Sequence, residues 1–161
     1  MPLHLVQYQP EIPQNTGNII RTCAATGVKL HLIKPLGFSL EDKQIKRSGV
    51  NYIHEVDYAT YENWETFIEQ NPKAHFYFYN PQASNNYTKL NFTDSEVELF
   101  IILGSETRPL PESILSAYPN KCFKIPMTDK ISSLNLSNAA ALLIYEGLRQ
   151  QNFLDLWKEN L

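Results

Sequence analysis

Residues 97–103 read Val-Glu-Leu-Phe-Ile-Ile-Leu, continuously apolar after Glu98, which is the pattern of a strand covered on both faces. Weaker alternation over 3–8 and short apolar runs over 29–33, 52–56, 74–79 and 121–125 predict further strands. Helical spacing predicts helices over 18–26 with Gly27 just past the end, 61–70, 111–117 with Pro111 in its first turn, and 136–151. A short charged helix over 40–47 stops near Gly49. Strands alternating with helices predict an α/β fold, a mostly parallel sheet flanked by helices. The asparagine-, serine- and threonine-rich stretch 82–95 reads as a surface loop.

The last helix is apolar around much of its circumference. Leu136, Ala139, Ala140, Leu143, Ile144, Gly147 and Leu148 form one stripe, which Ala141, Leu142 and Tyr145 widen. A helix of this kind is buried on two sides, in a deep core or at a subunit interface. The apolar tail Phe153-Leu154-Asp155-Leu156-Trp157 favours a homodimer through this helix.

Composition narrows the picture. A chain of 161 residues suits one domain, 1–161, with a core large enough to fold without staples. The start has no basic n-region or long apolar h-region, and the longest apolar run is Ala139 to Tyr145, so the expectation is a cytoplasmic protein without a membrane partner. Cys23 and Cys122 read as small buried hydrophobes. His4, His31, His54 and His75 show no metal-ligand spacing, and no metal is expected. The net charge of −3 gives no global argument for nucleic acid. Local basic clusters occur at Lys43, Lys46 and Arg47, at Lys121 and Lys124, and at Arg108. Each alone reads more readily as a solvated face.

The chemistry is concentrated in three polar loops, each after a predicted strand. They are Asn15-Thr16-Gly17-Asn18 with Arg21 behind it, Leu103-Gly104-Ser105-Glu106-Thr107-Arg108, and Ile125-Pro126-Met127 running on to Ser133-Leu134-Asn135-Leu136-Ser137. Loops at the carboxyl ends of parallel strands share one rim, where ligands bind. Asn15 to Asn18 suit a tight turn into a helix, with Asn and Thr capping its amides. Capping leaves Arg21 unexplained, because a cation in a first helical turn opposes the dipole. An anionic ligand or a salt bridge to Glu106 would account for it. Gly104 allows close approach to the backbone. Ile125, Pro126, Met127 and Leu134 either line a purine slot or pack the end of the sheet. No G-x-G-x-x-G, P-loop or G-x-S-x-G element is present, so a nucleotide-binding oxidoreductase is disfavoured and Ser105 is a poor nucleophile.

Pro13-Gln14-Asn15-Thr16-Gly17-Asn18-Ile19-Ile20-Arg21-Thr22 resembles the first signature of the SPOUT-class RNA 2′-O-methyltransferases. Residues 103–108 resemble the second, and 125–127 with 133–139 the third. Within that class, residues 11–18, Pro35-Leu36-Gly37-Phe38 and Tyr145-Glu146 are similar to the tRNA wobble-nucleotide 2′-O-methyltransferases, and the similarity runs nearly end to end. The resemblance implies a C-terminal trefoil knot, an exception to the rule against threaded loops. It also implies an obligate homodimer and an S-adenosylmethionine pocket in the knot, with S-adenosylhomocysteine as product. Cofactor contacts would fall at Phe78 or Tyr79 and at Leu103, Gly104, Ile125, Met127, Ser133 and Leu134. Arg21, Glu106 and Asn135 would serve catalysis, and Asn15, Asn18, Arg108 and Tyr145 would face RNA.

An arginine stays protonated, so Arg21 is read as orienting ribose or phosphate and stabilising oxyanion charge, not as a base. The hydroxyl proton would leave through a substrate phosphate, water or Glu106. Lys43, Lys46, Arg47 and Arg149 are expected to hold phosphates of a tRNA anticodon stem-loop. Two positions depart from the family pattern: Pro109 stands where glycine is usual, and Ser132 where arginine is usual. They keep open methylation of another RNA, or a non-catalytic S-adenosylmethionine- or RNA-binding dimer.

Overall fold

The computed structural model describes residues 3–43, 45, 47, 52–94, 96–153 and 156. Its frame is a six-stranded sheet with every strand pair parallel. The strands are β1 (Leu3–Tyr8), β2 (Lys29–Ile33), β3 (Tyr58–Tyr61), β4 (Ala74–Tyr79), β5 (Glu98–Leu103) and β6 (Cys122–Phe123), in spatial order β3-β2-β1-β5-β4-β6. From β1 the chain winds outward through β2 to β3, and the later strands fill the other half. The order therefore reverses between β1 and β5, where an open parallel sheet leaves a crevice at its carboxyl edge. Leu5 pairs with Ile101 and Gln7 with Leu103, so β1 and β5 end level and their loops leave side by side.

Strand alternation divides the apolar residues into two cores. Leu3, Leu5, Leu99, Ile101 and Leu103 pack with Ile19, Ile20 and Cys23 of α1 (Pro13–Thr26) and with Ala139, Ala140, Leu143, Ile144 and Leu148 of α4 (Leu136–Gln150). Val6, Phe76, Phe78, Phe100 and Ile102 face the other way, onto Phe67 of α2 (Trp64–Gln70) and Ile114 and Leu115 of α3 (Glu112–Leu115). The α/β expectation of a parallel sheet flanked by helices holds, and both cysteines are free, Cys23 fully buried.

Several predicted boundaries differ: the strand expected over 121–125 is Cys122–Phe123 and the helix over 111–117 is Glu112–Leu115, and three others move further. The segment 52–56, predicted as a strand, begins as the 3₁₀ turn Tyr52–Glu55, and the strand lies at Tyr58–Tyr61. The following helix starts at Trp64 because Asn63 caps it, its side chain accepting the Thr66 N–H. The helix α1 begins at Pro13, not Asn18: proline occupies the first turn, where its missing N–H costs nothing, and Asn15 to Asn18 lie inside the helix. It ends as predicted at Gly27, in the left-handed region at φ 71°. Residues 43, 45 and 47 are helical; Lys46, Gly49 and the tail residues 154, 155 and 157 lie outside the described residues.

The apolar stripe of α4 packs on the sheet, whereas Ala141 and Leu142 are half-buried and Tyr145 is exposed. Its C-terminal end is tied to the segment before β5. The Gln150 carboxamide accepts the Phe92 N–H (2.9 Å) and donates to Leu90 O (3.0 Å), and Gln151 Nε2 donates to Phe92 O (2.9 Å). Gln151 is buried. Gln151→Ala would leave a carbonyl unpaired and is expected to lower stability by about 1–3 kcal/mol. An unchanged urea midpoint would show that this tie contributes nothing.

Candidate active site

The loops after β1, β4 and β5 and the segment entering α4 enclose a cleft of about 550 Å³ at the carboxyl edge of the sheet. Asn15, Tyr79, Gly104, Glu106, Arg108, Ser133, Leu134 and Asn135 all line it, so the three polar loops do meet at one place.

Glu106 holds two of these loops together. Its carboxylate accepts the N–H groups of Glu11 (2.8 Å) and Ile12 (3.1 Å), with Asn15 Nδ2 at 3.5 Å. Ile12 is the N-cap of α1 and offers no capping side chain. The anion favoured at a helix N-terminus thus comes from across the cleft, in place of the local Asn and Thr caps the sequence suggests. Asn135 does the equivalent for α4: its Oδ1 accepts the N–H groups of Ser137 (3.0 Å) and Asn138 (3.2 Å) and the Ser137 hydroxyl (2.6 Å). Its Nδ2 donates to Asn15 Oδ1 (3.1 Å). The Asn15 side chain, 8% exposed, therefore bridges the first and third loops and leaves little of itself to face RNA.

Of Phe78 and Tyr79, strand alternation gives Tyr79 to the cleft. Phe78 is fully buried on the opposite face, against Trp64 and Tyr118. Tyr79 is buried, which pushes its phenol pKa up, and its hydroxyl has no hydrogen-bond partner. Leu103 and Ile125 are buried in the core beneath, and Met127 is half-buried outside the cleft lining. The loop after Gly104 folds back over it. A Cβ there would meet Arg108 O and Leu110 N at 3.2 Å each, so a larger residue would have to push this loop by a few tenths of an ångström. Among the described residues, positive φ occurs at Gln9, Gly27, Asn152 and Phe153. Position 109 is not one of them, and proline fits its loop.

The sequence argument for Arg21 fails. With α1 starting at Pro13, Arg21 is in the third turn, not the first; it is exposed and does not line the cleft. Its guanidinium lies 5.7 Å from the Tyr52 ring centroid and does not pair with Glu106. Asn18, Lys43, Arg47 and Tyr145 are exposed and do not line the cleft. Arg149 is bound by Glu146 through two contacts of 2.8 and 3.0 Å; hydrogen bonding to this arginine holds the Glu146 carboxyl below its ordinary range. Sequence reasoning missed Asn80, Pro81 and Gln82, which line the cleft directly after β4. The polar turn following the aromatic strand was the available signal. Among the described residues no cluster of His, Cys, Asp or Glu suits a metal ion, and no helix is long and apolar enough to cross a membrane.

A six-stranded parallel sheet with a tied cleft at its topological switch point defines the class: an open α/β protein whose cleft lies at the carboxyl rim, the place where such sheets bind ligands. The chain belongs to the SpoU rRNA methylase family, whose pattern matches residues 2–145. It is 48% identical over 153 residues to a Geobacillus stearothermophilus protein that carries the provisional name tRNA (cytidine(34)-2′-O)-methyltransferase, covering 95% of this chain and 98% of that one. A solved structure described as giving insight into 2-OH methylation of C/U34 on tRNA superposes with a TM-score of 0.86 at 37% identity, over 94% of this chain and 99% of that one. The fold is shared with AviRb from Streptomyces viridochromogenes, solved in complex with the cofactor AdoMet (TM-score 0.82, 21% identity, 92% of this chain and 57% of that one).

Proposed function

We propose that this chain methylates the ribose 2′-hydroxyl of the tRNA wobble nucleotide, cytidine or uridine, using S-adenosylmethionine. The single observation that carries the reading is the convergence of all three signature loops on one cleft, joined through Glu106, Asn15 and Asn135. Near-full-length similarity to a relative named for this reaction supports it.

The cleft suits the cofactor. Its volume is in the range of small-molecule sites, Leu110, Leu134 and Leu136 give it apolar walls, and the unpartnered Tyr79 hydroxyl offers a buried polar group. Leu134, Ser133, Gly104 and Tyr79 would hold the group, which when bound supplies an activated methyl on its sulfonium. The protein's part is to place the ribose oxygen in line and to ease removal of its proton. The hydroxyl proton would leave through a substrate phosphate, water or Glu106, whose two oxygens each accept one main-chain N–H and keep further lone pairs.

Arg21 and Tyr145 are exposed on α1 and α4, the neighbouring helices on one face of the sheet. The reading places the homodimer contact on that face, with the half-buried Ala141 and Leu142 beside Tyr145, so that Arg21 orients ribose or phosphate at a site completed by two subunits. It takes residues 1–161 as one knotted α/β domain. The ties of Lys124 to Asn85 and Tyr87, and of Gln150 and Gln151 to Leu90 and Phe92, bind the last quarter of the chain to the segment before β5, as a threaded C-terminus would require.

The test is transfer of labelled methyl from S-adenosylmethionine to unmethylated total tRNA, followed by nuclease mapping. Label at a 2′-O-methyl pyrimidine in the wobble position is expected. Label elsewhere would move the substrate, and no label despite cofactor binding by the folded protein would sink the reading. Arg21→Lys, run alongside, is expected to lose about tenfold or more, because an ammonium does not replace a planar fork.

A further inference from the structure

The clasp between the first two loops is reciprocal. While Glu106 accepts the N–H groups of Glu11 and Ile12, the Glu11 carboxylate reaches back into the Glu106 loop. Its Oε2 accepts the Thr107 hydroxyl (2.7 Å) and its Oε1 accepts Arg108 Nε–H (3.0 Å). These hydrogen bonds, that of Thr107 foremost, hold the Glu11 carboxyl below the ordinary carboxylate range. The Arg108 backbone is fixed as well: its N–H donates to Ser105 Oγ and its C=O accepts from the same hydroxyl, both at 3.2 Å, and Pro109 locks the next φ.

A guanidinium presents two forked edges. With Nε committed to Glu11, the terminal Nη1–Nη2 fork of Arg108 has no protein partner among the described residues. The side chain is 63% exposed, and among the described residues Arg108 is the only lysine, arginine or histidine lining the cleft. An arginine fixed at its backbone and at Nε, with an open fork at the lip of an otherwise uncharged or acidic cleft, is preorganised for a tetrahedral oxyanion. As a surface ion pair alone it would add little to stability.

We infer that Glu11 is a positioning residue that aims Arg108 as a clamp for an RNA phosphate beside the nucleotide to be methylated. The inference rests on the reading of the chain as an RNA methyltransferase and adds the residue pair that seats the backbone. A carboxylate of the cofactor shares the chemistry of an oxyanion, and the test separates the two.

The experiment measures tRNA affinity by fluorescence anisotropy without S-adenosylmethionine, across a range of potassium chloride, and S-adenosylmethionine affinity by calorimetry. Wild type, Arg108→Lys, Arg108→Ala and Glu11→Gln are compared, with thermal melts to verify folding. The decisive variant is Glu11→Gln. Removing a negative charge near a polyanion should tighten RNA binding if only net charge matters. Loss of aim predicts the opposite, a weakening of about 5-fold or more. Arg108→Ala should also flatten the dependence of log K on log salt by about 0.7–0.9, one phosphate contact, and Arg108→Lys should not restore wild-type affinity. Cofactor affinity should stay within about twofold in all variants. RNA binding by Glu11→Gln equal to or tighter than wild type overturns the clamp, as does weaker cofactor binding in Arg108→Ala with RNA affinity intact. A wild type that binds no tRNA overturns the methyltransferase reading and the clamp together.

Discussion

Glu106→Ala is expected to lower stability by about 2–4 kcal/mol and methyl transfer by more than about 100-fold. The carboxylate accepts the main-chain N–H groups of Glu11 and Ile12 at the entry to α1, and hydrogen bonds to a charged group are worth about 1.5–3 kcal/mol each, the lower end applying where solvent reaches them. Alanine also releases Glu11, and with it the Thr107 and Arg108 contacts, and frees one end of the Asn15 bridge to Asn135. One substitution thus loosens three loops, and displacements of the order of an ångström are costly in a positioned reaction. Glu106→Gln keeps one accepting oxygen and should fall between alanine and wild type in both readouts. Urea denaturation together with kcat/KM checks this. If transfer collapses while the urea midpoint stays at the wild-type value, Glu106 works on the substrate proton and the clasp account is wrong.

Most of the architecture was legible because strand burial writes itself directly into sequence: 98–103 and 74–79 are apolar runs of strand length bounded by polar turns. The 52–61 region was misplaced because its Tyr52-Ile53-His54-Glu55 and Tyr58-Ala59-Thr60-Tyr61 segments are equally strand-like. What separates them is pairing of β3 to β2, a non-local contact. At the site, the loops themselves and the family resemblance were readable, and the family is confirmed by the match over 2–145. The partners were not. That Glu106 reaches Glu11 and Ile12, 95 and 94 residues earlier, follows from the level ends of β1 and β5, which no local pattern encodes. The mistaken start of α1 at Asn18 in turn made Arg21 look like a first-turn cation. Asn15 and Thr16 resemble caps in isolation, yet Pro13 sets the helix start and a distant carboxylate does the capping.

Acidification from pH 6.5 to 5 is expected to cost about 2 kcal/mol of stability through a group far from the cleft. On the α2 face of the sheet, His4 Nδ1 lies 2.9 Å from His31 Nε2, and His31 Nδ1 2.8 Å from the Tyr61 hydroxyl, which also receives Asn71 Nδ2 at 3.5 Å. One proton order satisfies every group. Tyr61 donates to His31 Nδ1, His31 Nε2–H donates to His4 Nδ1, and His4 Nε2–H points toward Glu98, 3.8 Å away. Both imidazoles are then neutral. Burial drives the His31 pKa from 6.5 down to about 3, with His4 and Lys29 adding to the depression, and burial lowers His4 too, against the pull of Glu98. A histidine that protonates more easily unfolded than folded leaves stability complete above its unfolded pKa of 6.5. Stability then falls by about 1.4 kcal/mol per pH unit until the folded pKa near 3 is passed. Glu11 and Glu146, held below the ordinary carboxylate range of 4.5, lose their contributions only as pH falls below that range, so the window from 6.5 to 5 reports the histidines. His31→Gln should be less stable than wild type at pH 7.5 and clearly shallower than wild type across that window, His4 alone keeping a residual slope, as read from urea midpoints at half-unit steps. A slope equal to wild type in His31→Gln would show that the buried imidazole is not what makes the fold sensitive to acid.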